Sequence, residues 1–327
     1  MIKVGISITK NKLKYEKLVD YLYSLINASN KIQCVFLPTN EDIANHINDI
    51  NVLLTYKINN EYFNSNSNIE WIQLGNAGVD DSMIESVIKS KTIITNSRGI
   101  NSIAVAEYVV SILLYLSKQI SMSLEFKKSK QWTQWDIAKN IYTLENKKVG
   151  IIGYGAIGKE IAKKSKAFNM HVKAIRRLQK NKSSTKNIDE LLPLSYLDYL
   201  LSESDFIIIA CPLTLHTKHL IDRKKLNLIS QKSYLINISR GAIIKEDDLI
   251  EHLKNNKIKG AALDVFNSEP LDKKSALFNL DNVFLSPHIS GNFNGYQKKV
   301  IESFSENLLR FINREPLKNR VCKKRLY

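Results

Sequence analysis

Short apolar runs alternate with longer amphipathic stretches along the whole chain. In its first third, IKVGISI, CVFLP, VLLTY, WIQLG and TIITN each read as a buried strand bounded by polar punctuation. Between them, Tyr15 to Asn27 and Glu41 to Asn48 carry apolar residues at helical spacing. This βαβ alternation predicts a parallel sheet covered by helices, because parallel neighbours need a crossover between them.

A second series begins at Lys147. The strand VGIIG leads into a helix predicted from about Ala156 to Phe168, and HVKAI, FIIIAC, SYLINI, GAALDVF and VFLSPH follow, with helical stretches between most of them. The pattern is a doubly wound α/β unit. Residues 181–187 (NKSSTKN) read as a polar loop. Residues 101–119 are apolar nearly all round, which predicts a buried helix between domains or at a subunit interface. Gln297 to Asn313 places Val300, Ile301, Phe304, Leu308, Leu309 and Phe311 largely along one side, as expected of a helix packing back on the first domain.

Composition changes this picture little. A chain of 327 residues can hold two domains with real cores, and 44% hydrophobic and 24% charged content is ordinary for a globular protein. No run approaches the ~18 apolar residues of a membrane span. The start, MIKVGISITK, lacks the apolar core and cleavage site of a signal peptide. A cytoplasmic enzyme with no membrane partner is expected. Cys34, Cys211 and Cys322 are scattered and form no metal-ligand spacing, so neither a metal nor a disulfide framework is expected.

Charge asks for more attention. Lys plus Arg number 48 against 32 Asp plus Glu, a formal net charge of +16. The basic residues are spread along the chain in short clusters, among them Lys127, Lys128 and Lys130, and Arg320, Lys323, Lys324 and Arg325. A nucleic-acid footprint concentrates on one face, so no nucleic-acid partner is expected. A positive field would still draw in small anions.

The candidate chemistry begins at Gly153-Tyr154-Gly155-Ala156-Ile157-Gly158, a GxGxxG between an apolar strand and a helix. Gly153 permits the tight turn, Gly155 removes a Cβ that would block a pyrophosphate, and Gly158 lets helix and strand approach. The helix N-terminus then offers free N–H groups to phosphates. An NAD enzyme should carry Asp or Glu after the next strand to hold the ribose 2′-hydroxyl. Here Arg176 and Arg177 follow HVKAI instead. Guanidinium groups would pair with a 2′-phosphate, which puts NADP ahead of NAD; the alternative is an exposed arginine pair with no ligand.

Further along lie Arg240 in NISRGA, Glu269 in NSEPL and His288 in SPHISG. The arginine can clamp a carboxylate and its adjacent keto oxygen. The histidine can give a proton to an alkoxide or take one from a hydroxyl, and the glutamate can orient it and stabilise its cation. All three follow carboxyl ends of strands, where open α/β sheets place ligands. The combination describes hydride transfer to a 2-keto acid.

These residues resemble the D-isomer-specific 2-hydroxyacid dehydrogenases over essentially the whole chain. The resemblance rests on LGNAGVDD at 74–81, NSRGINSIAVAEYVVSILL at 96–114, KKVGIIGYGAIGKEIAKK at 147–164 and CPLTLHTKHLID at 211–222. It continues through LINISRGAIIKEDDLIEHLKNNKIKGAALDVFNSEP at 235–270 and LSPHISG at 285–291. It implies a Rossmann-type cofactor domain (100–288) inserted into a smaller flavodoxin-like substrate domain (1–99 plus 289–327), with an active site in the cleft and a homodimer built on helix 101–119. It implies catalytic roles for Arg240, Glu269 and His288. Asp264 would meet the nicotinamide carboxamide. Cys211, Pro212 and Thr217 would line the adenosine side, and Ile238 and Ser239 the nicotinamide ribose region. Backbone N–H groups near Asn76, Ala77 and Gly78 would hold the substrate carboxylate. Trp132 and Trp135 lie in a segment that in some relatives crosses the dimer interface, and ordinary packing is the equal alternative.

Glutamate at 269 disfavours formate oxidation, since that branch carries glutamine there. The expectation is an NADPH-preferring reductase of a small 2-keto acid of the glyoxylate or hydroxypyruvate type. A phosphoglycerate dehydrogenase and a dinucleotide-sensing corepressor are the alternatives.

Overall fold

The computed structural model describes residues 1–27, 29–63, 67–177 and 183–325. Two compact units emerge: Met1–Ile100 with Phe293–Tyr327, and Asn101–Asn292. The second is therefore an insertion in the chain of the first.

The first unit is built on β1 (Ile2–Ser7), β2 (Ile32–Phe36), β3 (Val52–Thr55), β4 (Trp71–Leu74) and β5 (Ile93–Asn96), in the order β2-β1-β3-β4-β5 and parallel throughout. Every residue of β3 and β4 is buried, as a parallel sheet covered on both faces requires. The first helix runs Lys12–Leu25, starting before Tyr15 because the Asn11 side chain accepts the Lys14 N–H at 2.9 Å. A capping box between Thr39 and Asp42 starts the Asn40–His46 helix. The Tyr296–Ile312 helix buries Val300, Ile301, Phe304 and Leu308 against Val4, Ile6, Leu22 and Trp71, with the Trp71 and Phe304 rings stacked at 5.1 Å.

The second unit carries β6 (Lys148–Ile152), β7 (His171–Ile175), β8 (Ser183–Thr185), β9 (Ile188–Leu192), β10 (Phe206–Ile209), β11 (Tyr234–Asn237), β12 (Gly260–Leu263) and β13 (Val283–Leu285). Their order is β13-β12-β11-β10-β6-β7-β9-β8, parallel except for the β8–β9 pair. This is the Rossmann-like doubly wound arrangement, with its switch point between β6 and β10.

The polar stretch 181–187 is not simply a loop. Residues 181 and 182 lie outside the described residues, but Ser183–Thr185 pairs antiparallel with β9 as a hairpin edge. All three side chains of β8 are exposed, so the strand needs no apolar residue and leaves no hydrophobic signal. The predominantly apolar helix settles as Ser102–Ser117. It buries Val105, Ala106, Val109, Ile112 and Leu113 in a core shared with Ile161 and Ala162, while Ile103 stays 57% exposed. Among the described residues no single helix is long and apolar enough to cross a membrane.

Candidate active site

In the second unit the carboxyl edge of the sheet sets the site residues in a row. His288 follows β13, Asp264 and Glu269 follow β12, and Ile238, Ser239 and Arg240 follow β11. Cys211 and Pro212 follow β10, the glycine turn follows β6, and Arg176 and Arg177 follow β7. At ~4.8 Å per strand, the row from His288 to Arg176 spans about 24 Å. An extended dinucleotide has the same order of parts: reacting ring, pyrophosphate, second ribose.

At one end His288 Nδ1 lies 2.7 Å from Glu269 Oε2. The other carboxylate oxygen, Oε1, accepts the Phe266 N–H at 3.0 Å, which fixes the glutamate from its own turn. The histidine side chain is 45% exposed and its Nε2 has no partner among the described residues, so that nitrogen is the one presented outward. His288 has φ +52°, a left-handed conformation that a β-carbon residue adopts at a cost. Its N–H donates to Asp264 O at 2.8 Å.

Arg240 follows a short asparagine-held turn. Asn237 Nδ2 donates to Arg240 O at 2.9 Å, and Asn237 Oδ1 accepts the Ser239 N–H at 3.1 Å. Arg240 Nη1 donates to Ser239 O at 2.7 Å. The next residue has to be glycine: a Cβ on Gly241 would stand 2.0 Å from Phe266 C. That close approach presses the arginine turn against the backbone leading to Glu269.

Asp264 is 1% exposed. Its Oδ1 accepts from Ser286 Oγ at 2.7 Å and from the Ile289 N–H at 2.8 Å, and its Oδ2 accepts from the Ser290 N–H at 2.9 Å.

At the glycine turn Gly153 has φ +111°, and a Cβ there would lie 2.6 Å from Cys211 N. A Cβ on Gly158 would meet Gly153 O at 2.2 Å. The Gly153 and Tyr154 N–H groups donate to Ile175 O at 3.1 and 3.0 Å, which ties the turn to β7. Ala156 and Ile157 open the Ala156–Ala167 helix, which starts at Gly155 with no side-chain cap. Its first N–H groups therefore remain available to an anion. Arg176 and Arg177 are exposed where β7 ends. Thr217 Oγ1 donates to Pro212 O at 2.7 Å, so those two residues share one turn. Ser239 Oγ donates to Cys211 O. Burial pushes the Cys211 thiol up to about 12, which leaves it protonated and unreactive. Ile238 is buried in the core.

The loop after β4 in the first unit leaves backbone donors over. Gly75 O accepts from Tyr296 Oη at 2.8 Å, Asn76 O from the Ser97 N–H at 3.0 Å, and Ala77 O from Asn96 Nδ2 at 2.7 Å. The N–H groups of Asn76, Ala77 and Gly78 have no acceptor among the described residues. The carbonyls of 75–77 are engaged and three successive backbone donors are left over, as an anion site requires. Asn76 Oδ1 is also buried without a partner.

Sequence reading missed Tyr108, Ser286, Asn237 and Gly241. Only Gly241 left a signal, as a glycine directly after a candidate arginine; the other three act through contacts set by the fold.

The chain matches the family model for the D-isomer specific 2-hydroxyacid dehydrogenase NAD binding domain over residues 110–290. A glyoxylate reductase of Pyrococcus horikoshii is 33% identical over 282 residues, covering 82% of this chain and 83% of that one. A D-3-phosphoglycerate dehydrogenase of Methanocaldococcus jannaschii is 30% identical over 86% of this chain, but over only 54% of its own length. A crystal structure of a D-isomer specific 2-hydroxyacid dehydrogenase family protein from Aeromonas salmonicida superposes with a TM-score of 0.86 at 26% identity, covering 98% of this chain and 99% of that one. Sequence and fold agree: the chain belongs to the D-isomer-specific 2-hydroxyacid dehydrogenases, oxidoreductases with a nicotinamide dinucleotide-binding domain.

Proposed function

We propose that this dehydrogenase reduces a small 2-keto acid of the glyoxylate or hydroxypyruvate type to the D-2-hydroxy acid, with NADPH ahead of NADH. The observation that carries the reading is the 2.7 Å His288–Glu269 pair, one strand from Arg240 on the carboxyl edge of a dinucleotide-binding sheet. The bound nicotinamide supplies the hydride. His288 delivers the proton from Nε2 to the developing alkoxide. Glu269 holds the imidazole by Nδ1 and stabilises its cationic form. Arg240 polarises the keto oxygen and orients the acid. The Asn76, Ala77 and Gly78 N–H groups receive the substrate carboxylate.

The glycine turn fits the pyrophosphate, with Tyr154, Ala156 and Ile157 around it. Cys211, Pro212 and Thr217 flank the adenosine, and Arg176 with Arg177 meets the 2′-phosphate. Ile238 and Ser239 lie toward the nicotinamide ribose, and Asp264 toward its carboxamide. Exposed Ile103, Ile120, Leu124, Trp132 and Trp135 support a homodimer through the segment that contains them.

The test is oxidation of NADPH and of NADH against glyoxylate, hydroxypyruvate, phosphohydroxypyruvate, pyruvate, a branched-chain keto acid and phenylpyruvate. Fast NADPH turnover on glyoxylate or hydroxypyruvate is expected. Turnover confined to phosphohydroxypyruvate would replace this reading with the phosphoglycerate dehydrogenase one, which the Methanocaldococcus relative favours.

A further inference from the structure

The loop 286–291 carries His288 in a conformation that its own backbone disfavours, and beside one bond inside the loop, His288 N–H to Ser286 O at 3.0 Å, it is held from outside. Asp264 supplies part of the answer. One carboxylate accepts from Ser286 Oγ, Ile289 N–H and Ser290 N–H, which brackets His288 on both sides, and the Asp264 carbonyl takes the His288 N–H itself. Ser286 has one hydroxyl proton, and it points at Asp264. Its oxygen is thereby open to a donor, and Tyr108 Oη provides it. Burial, with the Asp264 charge adding to it, raises the Tyr108 phenol above its ordinary range, so it remains a donor.

Tyr108 is not an isolated contact. It lies on the Ser102–Ser117 helix, on the same stripe as Val105 and the preceding Asn101, at the spacing of successive turns. A Cβ on Gly291 would come within 2.7 Å of Asn101 Nδ2 and 3.7 Å of Val105 Cγ2. One helix stripe thus meets the loop at Ser286 and again at Gly291, on either side of His288. Gly291 permits the approach at the far end, and the Tyr108–Ser286–Asp264 chain fixes the near end.

We infer that Tyr108 and Ser286 are positioning residues for the acid–base histidine, acting through Asp264 to hold Nε2 of His288 where the transferred proton is needed. The kinetic part of this inference rests on the reductase reading above. Neither residue touches the reacting atoms, and neither is required for dinucleotide binding at the glycine turn.

The experiment compares Tyr108→Phe, Ser286→Ala and Ser286→Thr, each alone and with His288→Gln. Proton delivery tolerates little displacement, so Tyr108→Phe and Ser286→Ala should lower kcat by about tenfold or more, with Ser286→Thr close to wild type. The KM for the keto acid should stay within about twofold, because Arg240 and the 76–78 amides are untouched. In the His288→Gln background the same substitutions should cost nothing further, since their effect passes through the missing imidazole. An unchanged kcat in Tyr108→Phe, or an equal loss with and without His288, overturns the inference.

Amide hydrogen exchange gives a second arm that needs no turnover. In Tyr108→Phe and Ser286→Ala the Ile289 and Ser290 amides should exchange faster, while the 156–167 helix keeps its wild-type protection. Unchanged exchange at both amides overturns the inference independently. If the wild type reduces no keto acid, the functional reading falls and the exchange arm alone decides this one.

Discussion

Each oxygen of Glu269 has its own partner, the Phe266 N–H on one side and the His288 ring on the other. The carboxylate can therefore orient the histidine without swinging between rotamers, as the proposed proton transfer requires. At the far end of the edge row Arg176 makes a sharper demand, because the proposed preference for NADPH rests on the charge of one side chain. A guanidinium attracts a 2′-phosphate and a carboxylate repels it while accepting from a 2′-hydroxyl. Charge-assisted hydrogen bonds contribute about 1.5–3 kcal/mol, or about ten- to a hundredfold in affinity. Arg176→Asp should accordingly shift the NADPH-to-NADH ratio of kcat/KM toward NADH by about tenfold or more. The ratio is measured with one keto acid at fixed salt. No shift would leave Arg176 as an exposed charge and remove the argument for NADP.

At the scale of elements, the glycine turn shows how local rules make a ligand site. Gly153 combines φ +111° with a forbidden Cβ, 2.6 Å from a backbone nitrogen that cannot move aside as a flexible side chain would. Gly153→Ala should lower stability by more than about 1 kcal/mol, because a positive φ and a clash both penalise it. It should also weaken NADPH binding, read by nucleotide fluorescence titration beside a thermal melt. An alanine variant with wild-type melting and binding would mean the turn relaxes freely.

The same element was legible in sequence because strand, turn and helix each leave a periodic or glycine signal. So were the buried parallel strands, whose two covered faces demand apolar runs such as VLLT and FIII. The exposed edge Ser183–Thr185 was illegible, since a strand with no buried face needs no apolar residue. The start of the first helix at Lys12 was set by a side-chain cap from Asn11 rather than by periodicity. His288, Glu269 and Arg240 were legible as residue types after strand ends. The Tyr108–Ser286 contact was not, because it joins residues 178 positions apart and only the fold brings them together.

For the whole molecule the open physical question is what a net charge of +16 does. Many of the lysines are already engaged locally: Lys166 with Asp189, Lys148 with Glu203, Lys225 with Asp198 and Lys318 with Glu306. Such pairs are exposed, so their contribution to stability is small and their main effect is on the surrounding field. A diffuse positive field should act on encounter with anions and leave the bound state alone. The proposed substrate and cofactor, a keto acid and NADPH, are both anions. Raising ionic strength from 0.01 to 0.15 M shortens the screening length from about 30 to about 8 Å, which removes long-range attraction and spares short contacts. The expected result is a kcat/KM that falls with salt while kcat stays constant, measured in steady state with the best keto acid. A nucleic-acid-binding protein would differ in kind: duplex DNA titrated by fluorescence anisotropy would bind with a steep logarithmic salt slope, because each neutralised phosphate releases a counterion. A flat kcat/KM together with steep DNA binding would assign the charge to a nucleic-acid partner. The scattered placement of the basic residues along the chain argues for the opposite pair of results.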